Sequence, residues 1–474
     1  MVSTLTSDIC VIGAGSAGLS VAAGAAQLGA DTILVESDKM GGDCLNYGCV
    51  PSKSLLAAAK AAEAARRAVR FGVRAAEPVI DFAAVHQHVH GVIAAIAPHD
   101  SEERFRGLGV RVLRARARFA DARNVAAGDF RISARRFVIA TGSSPLIPPI
   151  PGLDRVPFLT NETVFDLADC PRHLLVIGGG PIGCELAQAF RRLGAAVSLV
   201  EMGTLLPKDD PELVAVVRDS LRADGVALLE NTKVIGAEPR ESGISLLVET
   251  AGATERLHGS HLLLAAGRRP NIADLDLDAA GIAHSVGGIT VDRHLRTSNR
   301  HVYAIGDCIG GLQFTHLAGY HAGIVIRHAL FRLPARVDLR AMPWATYTDP
   351  ELATVGLSEI DAQTQGGPIR VLRSAFTEND RAQTERSTAG LVKVMTTPRG
   401  HILGATIVGP QAGELIQPWV LAMTNRLKIG AMATMVAPYP TLGEANKRAA
   451  GSFYTPKLFS SRTRLLARFL RWFG

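Results

Sequence analysis

Residues 8–36 read DICVIGAGSAGLSVAAGAAQLGADTILVE. The first six residues are an apolar run short enough for a buried strand. Gly13, Gly15 and Gly18 follow in G-x-G-x-x-G register, and an alanine-rich helix runs to about Gly29. A second apolar strand, Thr32 to Val35, ends at Glu36. Glycines at this spacing permit a tight turn and let a pyrophosphate approach the N-terminus of the helix. The acid after the second strand takes a ribose hydroxyl. A glycine triplet alone is weak evidence; the strand before it, the helix after it and the acid behind it make it a dinucleotide fingerprint.

The unit recurs. Residues 174–180, LLVIGGG, form another strand, and Gly178, Gly180 and Gly183 repeat the register before a helix, a strand and Glu201. The distance from first glycine to acid is 23 residues in both copies. Each copy also closes with an apolar strand entering a glycine turn. The first is VIATGSSP (138–145), which carries Thr141 and Gly142; the second is LLLAAGRRPN (262–271), which carries Gly267. An internal repeat of this kind means two dinucleotide sites in one chain.

Between them lies GGDCLNYGCVPSKSLL, residues 41–56. Gly48, between Cys44 and Cys49, frees the backbone to curl. Pro51 and Ser52 then open a helical run, which puts Cys49 at a helix N-terminus. The dipole there favours an anion, and Lys53 adds a positive charge one turn later on the same face. Such surroundings lower a thiol's pKa and make the thiolate the working species. The pair reads as a redox dithiol/disulfide; two structural cysteines in a loop is the plain alternative.

Composition narrows the rest. The 474 residues suit two or three domains. Net charge is +7, but the arginines are scattered and lack the aromatic interleaving of a nucleic-acid surface, so no nucleic-acid partner is expected. Six cysteines do not make a secreted disulfide framework. No basic segment precedes the first apolar run, and no run is long enough to span a membrane, so the expected place is the cytoplasm. His86 and His90 share a helix face but have no acidic or cysteine partner nearby, and no metal site is assigned. Cys10, Cys170, Cys184 and Cys308 read as small packing residues.

A long helix is expected over 81–106, then a small antiparallel meander from Arg111 to Val138. Residues 297–308, TSNRHVYAIGDC, form a strand that delivers Asp307 to a polyol or ribose. Beyond about residue 343 the pattern changes to antiparallel strands mixed with helices, including an apolar helix over 411–427. The tail, SRTRLLARFLRWFG (461–474), alternates arginine with leucine, phenylalanine and tryptophan. It reads as a membrane-surface helix or as one docked on its own dimer.

Two fingerprints, the CLNYGC loop and the AIGD strand together resemble the flavin-dependent pyridine nucleotide–disulfide oxidoreductases, over roughly residues 8–456. The loop looks most like that of the mercuric reductase-like and dihydrolipoamide dehydrogenase-like members. The resemblance implies an α/β fold with two Rossmann-type domains and a C-terminal α+β dimerisation domain. Its segments are 1–150 with 272–342 for FAD, 151–271 for NAD(P), 343–456 for dimerisation, and a tail at 457–474. It implies that Gly13, Gly15, Gly18, Glu36, Thr141, Gly142 and Asp307 bind FAD. Gly178, Gly180, Gly183, Glu201 and Gly267 bind the nicotinamide cofactor. Cys49 would be the flavin-contacting thiol and Cys44 the thiol that exchanges with substrate. Lys53 would sit beside the flavin, paired with Glu185, and the protein would be a homodimer. A carboxylate at Glu201 repels a 2′-phosphate, which favours NADH over NADPH.

One position departs from the family. Its disulfide-reducing members end in H-P-T-x-x-E, the histidine serving as acid/base and the glutamate orienting it. Here the segment is APYPTLGE (437–444), with Tyr439 where the histidine belongs and Glu444 in place. A phenol of pKa about 10 is a poor base at neutral pH. A metal ion, a quinone or another oxidant therefore fits better as acceptor than a dithiol. A working dihydrolipoamide dehydrogenase and a non-catalytic flavoprotein subunit or redox sensor are the alternatives. The tail lacks the cysteine pair with which mercuric reductase delivers its metal.

Overall fold

The computed structural model describes residues 3–473. The chain forms two compact units: Met1–Gly179, Ala189–Met202 and Asn231–Val337 in one, Gly180–Gln188, Gly203–Glu230 and Asp338–Gly474 in the other.

The first unit is built on β1 (Ser3–Ile12), which lies between β2 (Thr32–Glu36) and the later β6 (Phe130–Ile139), parallel to both. Strands covered on both faces need apolar side chains pointing both ways, hence the unbroken run ICVI. Alternate residues part company: Ile9 and Val11 enter one core, Cys10 and Ile12 the other. On the first face lies α1 (Ser16–Gln27), packed against the helix Thr315–Ala329. A side chain at Gly24 would collide with Ile326, so the small face of α1 is what lets the two helices meet. The second strand leads into α2 (Gly42–Asn46) and α3 (Cys49–Arg67).

The helix expected over 81–106 is two: α4 (Phe82–Ile96) and α5 (Glu102–Gly107), separated by a 3-10 turn with Pro98 near its start. Proline lacks the N–H needed to continue a helix, and Ser101 caps the new one through Arg104 N. The meander also begins later than expected. β3 (Arg111–Arg114) is parallel to β2, and only β4 (Ala117–Asp121), β5 (Asn124–Ala127) and β6 run antiparallel. The chain returns to this sheet at Val302–Ala304, parallel to β6.

In the second dinucleotide unit β8 (His173–Ile177) lies between β9 (Ala196–Val200) and the strand His261–Leu264, parallel to both. The helix α6 (Pro181–Arg192) follows the second glycine turn. Between the closing turns, β7 (Ser143–Pro145) pairs antiparallel with Arg268–Pro270.

The second unit carries a five-stranded antiparallel sheet in the order Pro343–Thr346, Glu351–Gly356, Ile402–Gly409, Leu391–Thr396, Arg370–Ala375. Trp419 is fully buried beneath it and donates from Nε1 to Asn446 Oδ1 at 2.9 Å. The apolar segment 411–427 is not one helix but two, Ala412–Leu415 and Gln417–Thr424, the second with Pro418 in its first turn. Lys393 is buried here and meets Asp210, Glu212 and Glu359 at 2.7, 2.8 and 2.6 Å, so its charge is fully matched.

Candidate active site

Both fingerprints fold alike. Gly13 N donates to Val35 O at 2.8 Å and Gly178 N to Val200 O at 2.9 Å. Ala140 N reaches Ile12 O, and Ala265 N reaches Ile177 O, each at 2.8 Å. The acids occupy equivalent places: Glu36 Oε2 accepts from Ala14 N at 2.5 Å, and Glu201 Oε2 from Gly179 N at 2.6 Å. Glu36 Oε1 also accepts from Asp38 N at 2.7 Å. These carboxylates therefore hold the glycine turns in shape. Gly13 has φ +104°, and a Cβ there would lie 2.4 Å from Ala140 O.

The residues fit the cofactors the sequence implies. At the first site the N-terminus of α1 is capped by Gly15, which has no side chain to satisfy the exposed N–H groups. Nothing nearer than Gly42 Cα, at 3.9 Å, stands over Gly15. An uncapped helix N-terminus with open space above a glycine is a cradle for a pyrophosphate. At the second site the space over Gly180 is open as well, and Gly183 lies in the first turn of α6.

The redox loop sits against the first fingerprint. Gly41 and Gly42 have φ +86° and +58°, so the left-handed turn is made there. Gly48 is not left-handed; its φ is −119°. Its role is room: a Cβ would lie 2.8 Å from Asp43 Oδ2. Cys44 rides on α2, and Cys49 is the first residue of α3. Both are thiols in this structure. Cys49 is driven down to about 6, first by the hydrogen bond from Cys44 and then by Thr315 and the charge of Lys53, against the opposing pull of burial. Cys44 goes the other way, raised by its hydrogen bond to Cys49 and by burial. The pair thus holds one thiolate, on Cys49, and one thiol, on Cys44.

Thr315 escaped the sequence reading. Its Oγ1 lies 3.4 Å from Cys49 Sγ, and it is the first residue of the helix Thr315–Ala329, whose N-cap Phe314 offers no side-chain bond. Two helix N-termini therefore converge on one sulfur.

Arg268 escaped it too. Its guanidinium donates from Nη2 to Ser143 O and from Nε to Ser143 Oγ, both at 2.8 Å, and meets Asp43 Oδ1 at 3.0 Å. Asn161 Nδ2 donates to the same Asp43 oxygen at 2.9 Å and to Tyr47 O at 3.2 Å. Ser143 Oγ in turn donates to Asp307 Oδ2 at 2.7 Å. A polar chain thus ties Asp43, beside Cys44, to Asp307. Burial raises the pKa of Asp307, with Ser143 opposing. Behind it His321 is buried and lowered to about 4, so its neutral Nδ1 accepts from Gly306 N at 3.3 Å. Thr141 Oγ1 donates to Asn271 O at 2.6 Å, and Asn271 N donates to Gly142 O at 3.0 Å, clasping the two closing turns. Gly142 and Gly267 are both left-handed, with φ +69° and +120°.

Glu185 is buried in the second unit and accepts from Tyr347 N at 2.8 Å. Lys53 lies on α3 of the first. Tyr439 is 71 % exposed and donates its hydroxyl to Asp380 Oδ2 at 3.0 Å. That bond raises the phenol's pKa further. The charge of Glu444 adds to that effect on the phenol of Tyr439. Glu444 Oε2 accepts from Thr441 N at 3.3 Å, at the start of the helix Glu444–Ser452.

The rings of His86 and His90 lie 4.2 Å apart, tilted at 48°, and His90 Nε2 is 3.1 Å from Phe165 O. Among the described residues no group of three or more His, Cys, Asp or Glu is placed to hold a metal ion. Cys10 and Cys308 are buried and pushed up to about 12, which makes them poor nucleophiles.

Two glycine-turn units, a poised dithiol and a mixed antiparallel domain define a flavoprotein disulfide reductase. The chain belongs to the pyridine nucleotide-disulphide oxidoreductases, whose model matches residues 7–322, with the family's dimerisation domain at 342–450. It is 34% identical over 455 residues to the mercuric reductase of Streptomyces lividans, covering 94% of this chain and 96% of that one. It is equally, 34%, identical over 454 residues to the dihydrolipoyl dehydrogenase of Geobacillus stearothermophilus, with the same coverages of 94% and 96%. Among solved structures, LpdA from Mycobacterium tuberculosis matches with a TM-score of 0.86 at 29% identity, covering 94% of this chain and 99% of that one. The Cu(II) complex of the HOCl-induced flavoprotein disulfide reductase RclA from Escherichia coli matches with a TM-score of 0.83 at 27% identity, over 93% and 98%. The protein is thus an FAD-dependent, NAD(P)H-linked oxidoreductase with a redox-active cysteine pair and a homodimerisation domain.

Proposed function

We propose that the enzyme passes electrons from NAD(P)H, NADH in preference, through the Cys44–Cys49 pair to an acceptor that is not a dithiol: a metal ion, as in a mercuric reductase, or a quinone or other oxidant. The observation that carries this is the phenol of Tyr439, held protonated by Asp380 where the disulfide-reducing pattern has an imidazole. Bound FAD and nicotinamide supply the two electrons. The cysteines do the rest. Opening the disulfide takes two electrons and one proton, leaving Cys49 as thiolate and Cys44 as thiol. Cys44 then loses its proton to meet the acceptor. Closing the S–S bond releases the two electrons to it.

Supporting roles follow the family pattern: Lys53 paired with Glu185, Asp307 and the first fingerprint for FAD, Glu201 and the second for NADH, Tyr439 and Glu444 at the exchange thiol. The proposed segments are 1–150 with 272–342, 151–271, 343–456 and 457–474. A cytoplasmic protein with a peripheral membrane contact through 457–474 completes the reading.

The test is an acceptor screen of the purified holoenzyme with NADH, against Hg²⁺, Cu²⁺, quinones and lipoamide. Turnover with a metal ion or quinone and little with lipoamide is expected. Fast oxidation of dihydrolipoamide by NAD⁺ would establish the second reading, a dihydrolipoyl dehydrogenase, such as the enzyme to which the chain is 34% identical. No turnover with any acceptor would leave the non-catalytic flavoprotein.

A further inference from the structure

The helix Ser461–Leu470 buries none of its residues. From Ser461 to Phe473 every residue is exposed except Thr463, which is half-buried. Ten residues of isolated helix are marginal in water, so this one needs a partner to be stable. It is nevertheless begun correctly: Ser460 caps it, accepting from Thr463 N at 3.3 Å.

Its two sides differ in chemistry. Leu465, Leu466, Phe469, Leu470 and Phe473 recur at helical spacing on one side, at 68, 55, 59, 54 and 74 % exposure. Trp472, 90 % exposed, lies at the edge of that stripe. Arg464, Arg468 and Arg471 line the other side, and Arg462 lies amid the apolar residues. Just ahead, Leu458 and Phe459 are exposed too, at 57 and 62 %. From Thr455 to the end there are five basic residues and no acidic one.

Charge decides the occupant. A second copy of this chain, less its own five tail cations, still carries +2 (7 − 5) and offers the tail no net attraction. The matched dimerisation domain also ends at residue 450, before the tail begins. An anionic lipid surface meets both faces at once: acyl chains take the leucines, phenylalanines and tryptophan, and headgroup phosphates take the arginines. No helix among the described residues is long and apolar enough to cross a membrane, so the contact lies in the plane of the surface.

We infer that Ser461–Phe473 is an interfacial anchor selective for anionic lipid, which holds the enzyme flat against a negatively charged membrane face. This rests on the tail meeting a membrane, and is independent of the acceptor that Cys44 serves.

The test uses the full-length holoenzyme and two sets of vesicles, phosphatidylcholine alone and phosphatidylcholine with phosphatidylglycerol. Co-sedimentation should be at least about tenfold stronger with phosphatidylglycerol and should weaken in high salt. Trp472 emission should shift to the blue, with Trp472→Phe as control. A Leu466→Asp/Phe469→Asp variant should lose binding while its NADH oxidation in solution stays unchanged. Replacing Arg462, Arg464, Arg468 and Arg471 by glutamine should abolish the lipid preference. Equal binding to both vesicles would overturn the anionic selectivity and leave the membrane contact standing. Binding to neither would overturn both. If the Leu466→Asp/Phe469→Asp chain sedimented as a monomer where the parent is a dimer, the apolar face would belong to a second copy and the inference would fail.

Discussion

Cys49 has its pKa lowered by neighbours, and each neighbour can be removed. Its thiolate is favoured first by Cys44, then by Thr315 and Lys53. In the reduced protein, alkylation of Cys49 should titrate with a midpoint near 6. Thr315→Val should move that midpoint up, and Cys44→Ala should move it further, because it removes the larger cause. Iodoacetamide rates against pH, with the modified cysteine located by mass spectrometry, check both. The sign for stability follows. A thiol whose folded pKa is about 6 against 9.0 unfolded adds stability that is complete above pH 9 and lost as pH falls through 6. The melting temperature of the reduced protein should therefore drop toward acid more steeply than that of its Cys49→Ser variant. At Tyr439 the opposite exchange is informative. Tyr439→His restores an acid/base of ordinary pKa near 6.5 and should raise dihydrolipoamide turnover by about 10²-fold. Steady-state rates with lipoamide decide it, and no gain would separate position 439 from the exchange thiol.

At the scale of elements, the parts that carried a local signature were legible and the parts assembled from afar were not. The glycine turns announced themselves because strand, turn and helix are consecutive in sequence. Buried parallel strands announced themselves as unbroken apolar runs. Thr315 could not, because it reaches Cys49 across 266 residues of chain. Asp380 meets Tyr439 across 59. The two helix breaks at Pro98 and Pro418 were legible and overlooked: hydrophobic periodicity continued through them while the proline ended the hydrogen-bond ladder. Arg268 had a partial signal, standing directly after the second closing glycine. Its side chain is only 12% exposed, and it pins α2 through Asp43. Arg268→Ala should cost about 1–3 kcal/mol by leaving buried acceptors unpaired. Arg268→Lys should recover little of it, because an ammonium cannot span Ser143 and Asp43 with a planar fork. Chemical denaturation of the three proteins measures this. Faster alkylation of Cys44 in Arg268→Ala would show that α2 has loosened.

Across the whole molecule, one folding unit is used twice with different loads. Glu36 and Glu201 make the same bond, to Ala14 N and Gly179 N, so the turn geometry does not distinguish the sites. What distinguishes them is the surroundings: the first sits beside the cysteine loop, the second ends at an exposed Met202. The choice between NADH and NADPH then falls to the charge on Glu201. Removing the carboxylate outright would also release the glycine turn and confuse the result. Glu201→Gln avoids that, since an amide oxygen still accepts from Gly179 N while the negative charge is gone. The ratio of kcat/KM for NADH over NADPH should fall on the order of tenfold, mostly through a lower KM for NADPH. FAD content and melting temperature should stay unchanged, because the first site is untouched. The matching change at the other copy, Glu36→Gln, should do the reverse, weakening FAD retention and leaving the nucleotide ratio alone. If Glu201→Gln left the ratio where it was, the acid would be a structural clasp only, and discrimination would have to come from elsewhere in the second site.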